Sequence, residues 1–105
     1  MKRNFLPISI DISNQKILII GGGESAYKKL MILKRFNAEV EVIAINVCEK
    51  IKNFGVRFIE TKYSKELLKG YLILYSCTNN ADLDRQILSD GKEMGVLVNI
   101  HDKPE

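Results

Sequence analysis

Ile17-Leu18-Ile19-Ile20-Gly21-Gly22-Gly23-Glu24-Ser25-Ala26 is the stretch on which the fold turns. A short run of β-branched and aliphatic residues, stopped abruptly by glycine, has the length and composition of a strand buried on both faces of a parallel sheet. Beyond the glycines the period changes. Ala26, Leu30 and Leu33 recur at helical spacing, with Lys28, Lys29, Lys34 and Arg35 among the other positions, which predicts a helix from about Ser25 to Phe36. Asn37 suits the left-handed residue that closes such a helix.

Working outward, Val40 to Ala44 has strand character, and a shorter helix is expected from Asn46, as its N-cap, to about Asn53. Gly55 opens a strand from Val56 to Ile59, and Ser64 to Gly70 reads as a helix of barely two turns. Tyr71 to Tyr75 is the next strand. Asn79 or Asn80 then caps a helix with Asp82 and Asp84 in its first turn, apolar Leu83, Ile87 and Leu88, and an end near Gly95. Val96 to Ile100 supplies the last strand. On the N-terminal side, the segment from Phe5 to Ile12 alternates apolar with polar from Ile8 onward. Pro7 has no N–H for a ladder, so this segment is expected as an edge strand or an extended arm. Strands alternating with helices mean right-handed βαβ units. The expected architecture is a Rossmann-like three-layer α/β fold with a mainly parallel five-stranded sheet plus an N-terminal edge strand. With 105 residues, 46% hydrophobic and 28% charged, residues 1–105 are expected to form one domain.

Composition excludes several classes. The net charge is only +3, and sixteen basic residues are scattered among thirteen acidic ones, so no nucleic-acid-binding arm is expected. Nothing approaches the roughly 18 apolar residues of a membrane span. Pro7 and Asp11 interrupt the opening before a signal-peptide core can form. Cys48 and Cys77 form neither a CxxC pair nor a disulfide framework, which suits a reducing cytoplasm.

Gly21, Gly23 and Ala26 fit the pattern GxGxxG/A between a strand and a helix, the arrangement of a dinucleotide-binding turn. Glycine permits the tight turn and the close approach of a pyrophosphate, and small Ala26 lets helix and strand pack closely. The free N–H groups of the first helical turn, with the roughly +0.5 charge of the helix dipole, would face the phosphates. Gly22→Asp should therefore abolish binding by setting a charged side chain against the pyrophosphate. No GK[ST] follows, which excludes a P-loop. The acidic residue expected about 20 residues on, at the end of the second strand, is missing, since Ala44-Ile45-Asn46 stands there. Residue chemistry alone thus leaves NAD and NADP undistinguished.

In an open parallel sheet the ligand lies beyond the carboxyl ends of the strands. The candidates are Gly21 to Ser25, Ile45 and Asn46, Thr61, the segment Ser76-Cys77-Thr78-Asn79, and His101-Asp102. Asp102 is the only carboxylate directly following a central strand in that set, and it could take up the proton that accompanies hydride loss. On spacing alone the reading as a turn or cap residue ahead of Lys103-Pro104 is favoured over the catalytic one. His101 has no partners at metal-ligand spacing, so no metal site is expected, and neither cysteine has a nearby His to activate it.

Four blocks in order resemble the precorrin-2 dehydrogenase/sirohydrochlorin ferrochelatase family, the N-terminal module of siroheme synthase: Phe5-Leu6-Pro7-Ile8, then Lys16 to Lys29 around the glycine turn, then Cys77-Thr78-Asn79-Asn80, then Gly95 to Glu105 with its N-x-x-D-x-P ending. The resemblance implies NAD-dependent oxidation of precorrin-2 to sirohydrochlorin in siroheme (porphyrin) biosynthesis. In many members a lyase activity also inserts ferrous iron. It implies Asp102 as the catalytic acid–base residue, and cofactor contacts from Gly21, Gly22, Gly23, Glu24, Ser25, Ile45, Asn46 and Thr78. It also implies a longer, homodimeric polypeptide of which these residues are the N-terminal part. Ser25 in place of Val, Lys28 in place of Arg, Asn79-Asn80 in place of an acidic pair and His101 in place of a small apolar residue depart from the family pattern. The alternative is a non-catalytic NAD-sensing regulatory domain, which would use the same turn without needing Asp102.

Overall fold

A computed structural model describes residues 9–101. Its elements run β1 (Lys16–Ile20), α1 (Glu24–Lys34), β2 (Glu39–Ala44), α2 (Glu49–Lys52), β3 (Arg57–Glu60), a 3₁₀ turn (Lys65–Leu68), β4 (Ile73–Ser76), α3 (Ala81–Met94) and β5 (Leu97–Ile100). The sheet has the order β3-β2-β1-β4-β5 with every pairing parallel. β1 is its centre: Ile17 pairs with Val40 on one side and with Ile73 on the other. The chain therefore winds outward from β1 to β3, then crosses back and winds outward the other way to β5. That reversal opens a crevice at the carboxyl ends of β1 and β4.

Alternate residues of the central strands feed two cores. Ile17, Ile19, Val40 and Val42 pack with Ala26, Leu30 and Leu33 of α1 on one face. Leu18, Ile20, Ile43 and Leu74 pack with Leu68 and with Ile87 of α3 on the other. Ile17, Leu18 and Ile19 are each at most 1% exposed, which is why the run carries no polar alternation. Each such side chain contributes about 1.5–3 kcal/mol by leaving water. Within the strands a carboxylate is enclosed with them. Glu41, in the middle of β2, accepts a hydrogen bond from the Tyr71 phenol at 2.7 Å and lies 3.8 Å from the Lys16 ammonium. Tyr71, which serves that buried acid, lies outside the strand predicted to include it, and the strand begins at Ile73 instead.

The ends of the long helices follow the local signals. Asn37 takes φ 55° just after α1, the Asn80 side chain accepts the Leu83 N–H at 3.1 Å, and Gly95 closes α3. The helix expected from Asn46 to Asn53 is shorter than its reading. It spans Glu49–Lys52, and its N-cap is Cys48 without a side-chain hydrogen bond. The reason is tertiary: the Cys48 N–H donates to the Gly22 carbonyl at 2.8 Å, which holds the preceding loop extended. The helix expected from Ser64 is a 3₁₀ turn, also without a side-chain cap. Of the N-terminal segment, Ser9–Ile12 belong to no strand or helix and lead into a turn in which the Ser13 N–H donates to Asp11. Phe5 to Ile8 lie outside the described residues.

Candidate functional site

The crevice is built first from backbone. Gly21 continues the ladder by donating its N–H to the Ile43 carbonyl at 2.9 Å, then turns with φ 136°. A side chain there would run into the Cys77 carbonyl, and one on Gly22 would overlap the Asn46 carbonyl. The two glycines are thus where β1 presses against the β4 and β2 loops. Gly23 differs from both. It is the N-cap of α1, and no heavy atom lies within 4 Å of where its Cβ would stand.

The geometry adds a packing role for Gly22. Its missing side chain makes room for the β2–α2 loop, and an Asp there would collide with protein before meeting any phosphate. Gly22 nevertheless orients the site. Its carbonyl is drawn toward Cys48, and in a trans peptide the next N–H points the opposite way. The Gly23 amide is thereby turned from that loop, alongside the first-turn amides of Glu24, Ser25 and Ala26, whose N–H groups have no partner within the helix. Ala26 is fully buried, so α1 lies close on the sheet and its positive end is fixed over the crevice.

A cavity of about 320 Å³ opens here. That is the small end of the range for ligand pockets, suited to one nucleotide half with the remainder along an open rim. Gly21, Gly22, Gly23, Ile45 and Thr78 come together around it, joined by Thr61 and Asn79. Glu24 and Ser25 lie outside its lining in the first turn of α1, where the Glu24 carboxylate pairs with Lys50 at 3.4 Å. Asn46 is exposed beside it and meets the turn through its backbone carbonyl. These groups fit a nucleotide diphosphate: amides without helix partners stand at the head of α1, and apolar side chains share the lining with the glycines.

Cys77 is in the lining, but burial pushes its thiol up to about 11, with Lys29 opposing and Asp84 adding to the shift. It is therefore a protonated packing group at neutral pH rather than a nucleophile. His101 donates its N–H to the Ser76 carbonyl at 2.9 Å, extending the β4–β5 ladder. Among the described residues no cluster of three His, Cys, Asp or Glu side chains could hold a metal ion. Asp102 lies outside the described residues. The strand preceding it, β5, is an edge of the sheet among the described strands rather than a central one.

Three side chains around the crevice were not singled out as site residues in the sequence. Asp84 accepts hydrogen bonds from the hydroxyls of Ser76 and Thr78, both at 2.6 Å, and so fixes the β4–α3 loop. Glu60 ends β3, and its carboxylate accepts the Val47 N–H at 3.0 Å. It is committed to holding the β2–α2 loop, so the end of β2 has no free acid of its own. Tyr63 forms part of the cavity wall, and its phenol donates to Asp90 at 2.6 Å. Burial and then the Asp90 carboxylate raise that phenol above its ordinary value, so it remains a donor. The alternation Ser76-x-Thr78 ahead of an acidic first turn was the one local hint. Glu60 and Tyr63 act through partners 13 and 27 residues away.

A family model described as NAD(P)-binding matches residues 8–105. The chain belongs to this NAD(P)-binding family. Among curated relatives it is 31% identical over 106 residues to the siroheme synthase of Vesicomyosocius okutanii, covering 97% of this chain and 23% of that protein. It is 34% identical over 103 residues to the siroheme synthase of Buchnera aphidicola, covering 94% and 22%. The solved structure of the precorrin-2 dehydrogenase SirC shares the fold, with TM-score 0.72 at 19% identity over 96% of this chain and 51% of that one. The chain thus spans less than a quarter of the length of these curated relatives. NAD(P)-binding membership agrees with the crevice. No helix among the described residues is long and apolar enough to cross a membrane.

Proposed function

We propose that this NAD(P)-binding chain is the dehydrogenase module of siroheme biosynthesis, oxidising precorrin-2 to sirohydrochlorin with NAD. The observation that carries the reading is the glycine turn, where one carbonyl is drawn off to Cys48 and the amides that follow stand free at the head of α1. Gly21, Gly22 and Gly23 form the phosphate-binding turn, with Glu24 and Ser25 continuing it into the helix. Ile45, Asn46 and Thr78 flank the cofactor on the β2 and β4 sides. Held at this turn, NAD would supply the hydride acceptor for the tetrapyrrole, and Asp102 would take the proton released with it, so that two electrons and two hydrogens leave the substrate. The siroheme synthase relatives and the precorrin-2 dehydrogenase fold support this choice of substrate. Insertion of ferrous iron into the product, homodimer formation and a cytoplasmic setting complete the proposal.

The test uses the complete polypeptide with precorrin-2, NAD and ferrous iron, following sirohydrochlorin and then siroheme by absorbance. Asp102→Ala should retain NAD affinity while sharply lowering sirohydrochlorin formation. Wild-type turnover in that variant would remove Asp102 from the chemistry. NAD binding with no oxidation of precorrin-2 by the wild-type polypeptide would favour a sensing role instead.

A further inference from the structure

The face of the sheet that carries α1 is only partly covered. α1 and α2 pack over β1 and β2 there, whereas the 3₁₀ turn and α3 lie on the opposite face. On the α1 face, Ile73 and Tyr75 of β4 are half-buried although Leu74 and Ser76 are enclosed, and their ladder partners Leu97 and Asn99 are exposed. Strands of a parallel sheet are ordinarily buried on both faces, so a bare face on β4 and β5 calls for a cover. Two adjoining grooves of about 370 and 330 Å³ lie over these strands and share Ile10, Ile73 and Tyr75. One wall is a second stripe of α1. Lys29 and Ile32, with Phe36 just beyond the helix, line it beside the Ala26, Leu30 and Leu33 face that packs on the sheet. Phe36, Leu97 and Ile32 are 64%, 49% and 46% exposed, so helix and strand together offer water an apolar surface. Neither groove is lined by a residue of the glycine turn.

The cations of this wall lack a counter-charge. Lys16, Lys50, Lys52, Lys65 and Arg85 each lie within 4.0 Å of a carboxylate, but among the described residues none stands so close to Lys28, Lys29 or Arg35. Lys29 instead lies 4.9 Å from the centroid of the Tyr75 ring, over the floor of the groove. Lys28 and Arg35 fall four residues before and three after Ile32, the spacing that sets them beside it along the rim. We propose that this groove docks an amphipathic helix of a partner protein, with its apolar stripe seated between Phe36 and Leu97 and carboxylates on its flank meeting Lys28, Lys29 and Arg35. Charge selects this occupant. A two-fold contact with a second copy would crowd the cations of both copies into one interface, which like-charge repulsion opposes. Residues 1–8 bring Lys2 and Arg3 and no carboxylate. A bilayer is flat, whereas a helix fills a groove with side chains at i, i+3, i+4 and i+7.

Fluorescence anisotropy tests the proposal with three labelled peptides: a helix with leucines at i, i+3, i+4 and i+7 flanked by glutamates, the same helix flanked by lysines, and the glutamate peptide scrambled. The glutamate helix should bind the chain one to one, about tenfold or more tighter than the lysine helix, and the scrambled peptide should not bind. Phe36→Ser should weaken the glutamate helix about tenfold while the melting temperature of the chain holds, since that ring is already largely in water. Lys28→Glu combined with Arg35→Glu should shift the preference to the lysine helix, which mere stickiness of an apolar patch would not do. Equal affinity for the two charged helices, or absence of binding by both, overturns the proposal. A chain that dimerises in sedimentation and turns monomeric with Phe36→Ser assigns the face to a second copy. Binding through Phe36 to vesicles of phosphatidylcholine and phosphatidylglycerol, with the peptides ignored, assigns it to a bilayer. Affinity for the glutamate helix that rises more than about tenfold once residues 1–8 are removed assigns it to the chain's own N-terminus. Each of these three results also overturns the partner helix.

Discussion

The two ends of the crevice are made in different ways. At the glycine end, consecutive residues from Ile20 to Ala26 supply the turn, the free amides and the helix behind them, and the working groups are main-chain atoms. On the apolar side, residues 43, 63 and 83 come from three separate segments and line the cavity with side chains, the Tyr63 phenol being held by Asp90. The first end depends on what is absent from the sequence, namely side chains. The second depends on which side chains the fold gathers. A substitution at the first should act through steric overlap, and one at the second through lost surface.

The largest effect expected from this contrast is at Gly22. Gly22→Asp should abolish NAD binding and also lower the melting temperature of the ligand-free protein, because the new side chain meets the Asn46 carbonyl, and such overpacking costs about 1–3 kcal/mol. Gly23→Ala, pointing into open space, should leave that melting temperature unchanged and weaken NAD about tenfold in calorimetry. Equal melting behaviour of the two variants would erase the distinction between a packing glycine and a clearance glycine.

A smaller effect sharpens the other end. Asn80→Ala removes the cap that accepts the Leu83 N–H at the start of α3, a loss of about 1 kcal/mol. A drop of about 4–8 °C in thermal unfolding is expected. NAD affinity should fall only modestly, since Leu83 moves with the frayed turn. No change in stability would mean that α3 is held by packing alone.

The smallest effect is with pH. Burial raises the Cys77 thiol from 9.0 to about 11, and burial likewise raises the Tyr63 and Tyr71 phenols. Each group binds its proton more tightly folded than unfolded, so the stability it contributes is fully present below its ordinary value and is lost as pH rises through the folded one. Denaturant midpoints should therefore decline from about pH 9 toward about pH 11. Cys77→Ser should shallow the thiol's part of that slope. A flat profile would contradict the enclosed state of these groups.

Local sequence was sufficient for much of this molecule. The apolar run at β1 lay flush against three glycines, and helical spacing followed at once, so strand, turn and helix could each be read from neighbours within a few residues. Asn37, Asn80 and Gly95 marked helix ends because capping is a matter of one side chain, or the lack of one, acting on the adjacent backbone. The strand order was not legible in the same way, since nothing in a strand's own residues names its neighbour. The late start of α2 came from a hydrogen bond between Cys48 and Gly22, 26 residues apart in the chain, and overrode a sound N-cap at Asn46.

The sequence by itself determined the alternation of elements and the glycine turn between β1 and α1, because both depend on short-range backbone preferences and on the spacing of apolar residues. Tertiary structure alone decided which glycine packs and which clears space, that Glu60 and Asp84 brace loops, and that Tyr63 faces the crevice. Those outcomes depend on distances between segments remote in sequence, and they exist only once the sheet has brought β2, β3 and β4 to a common edge.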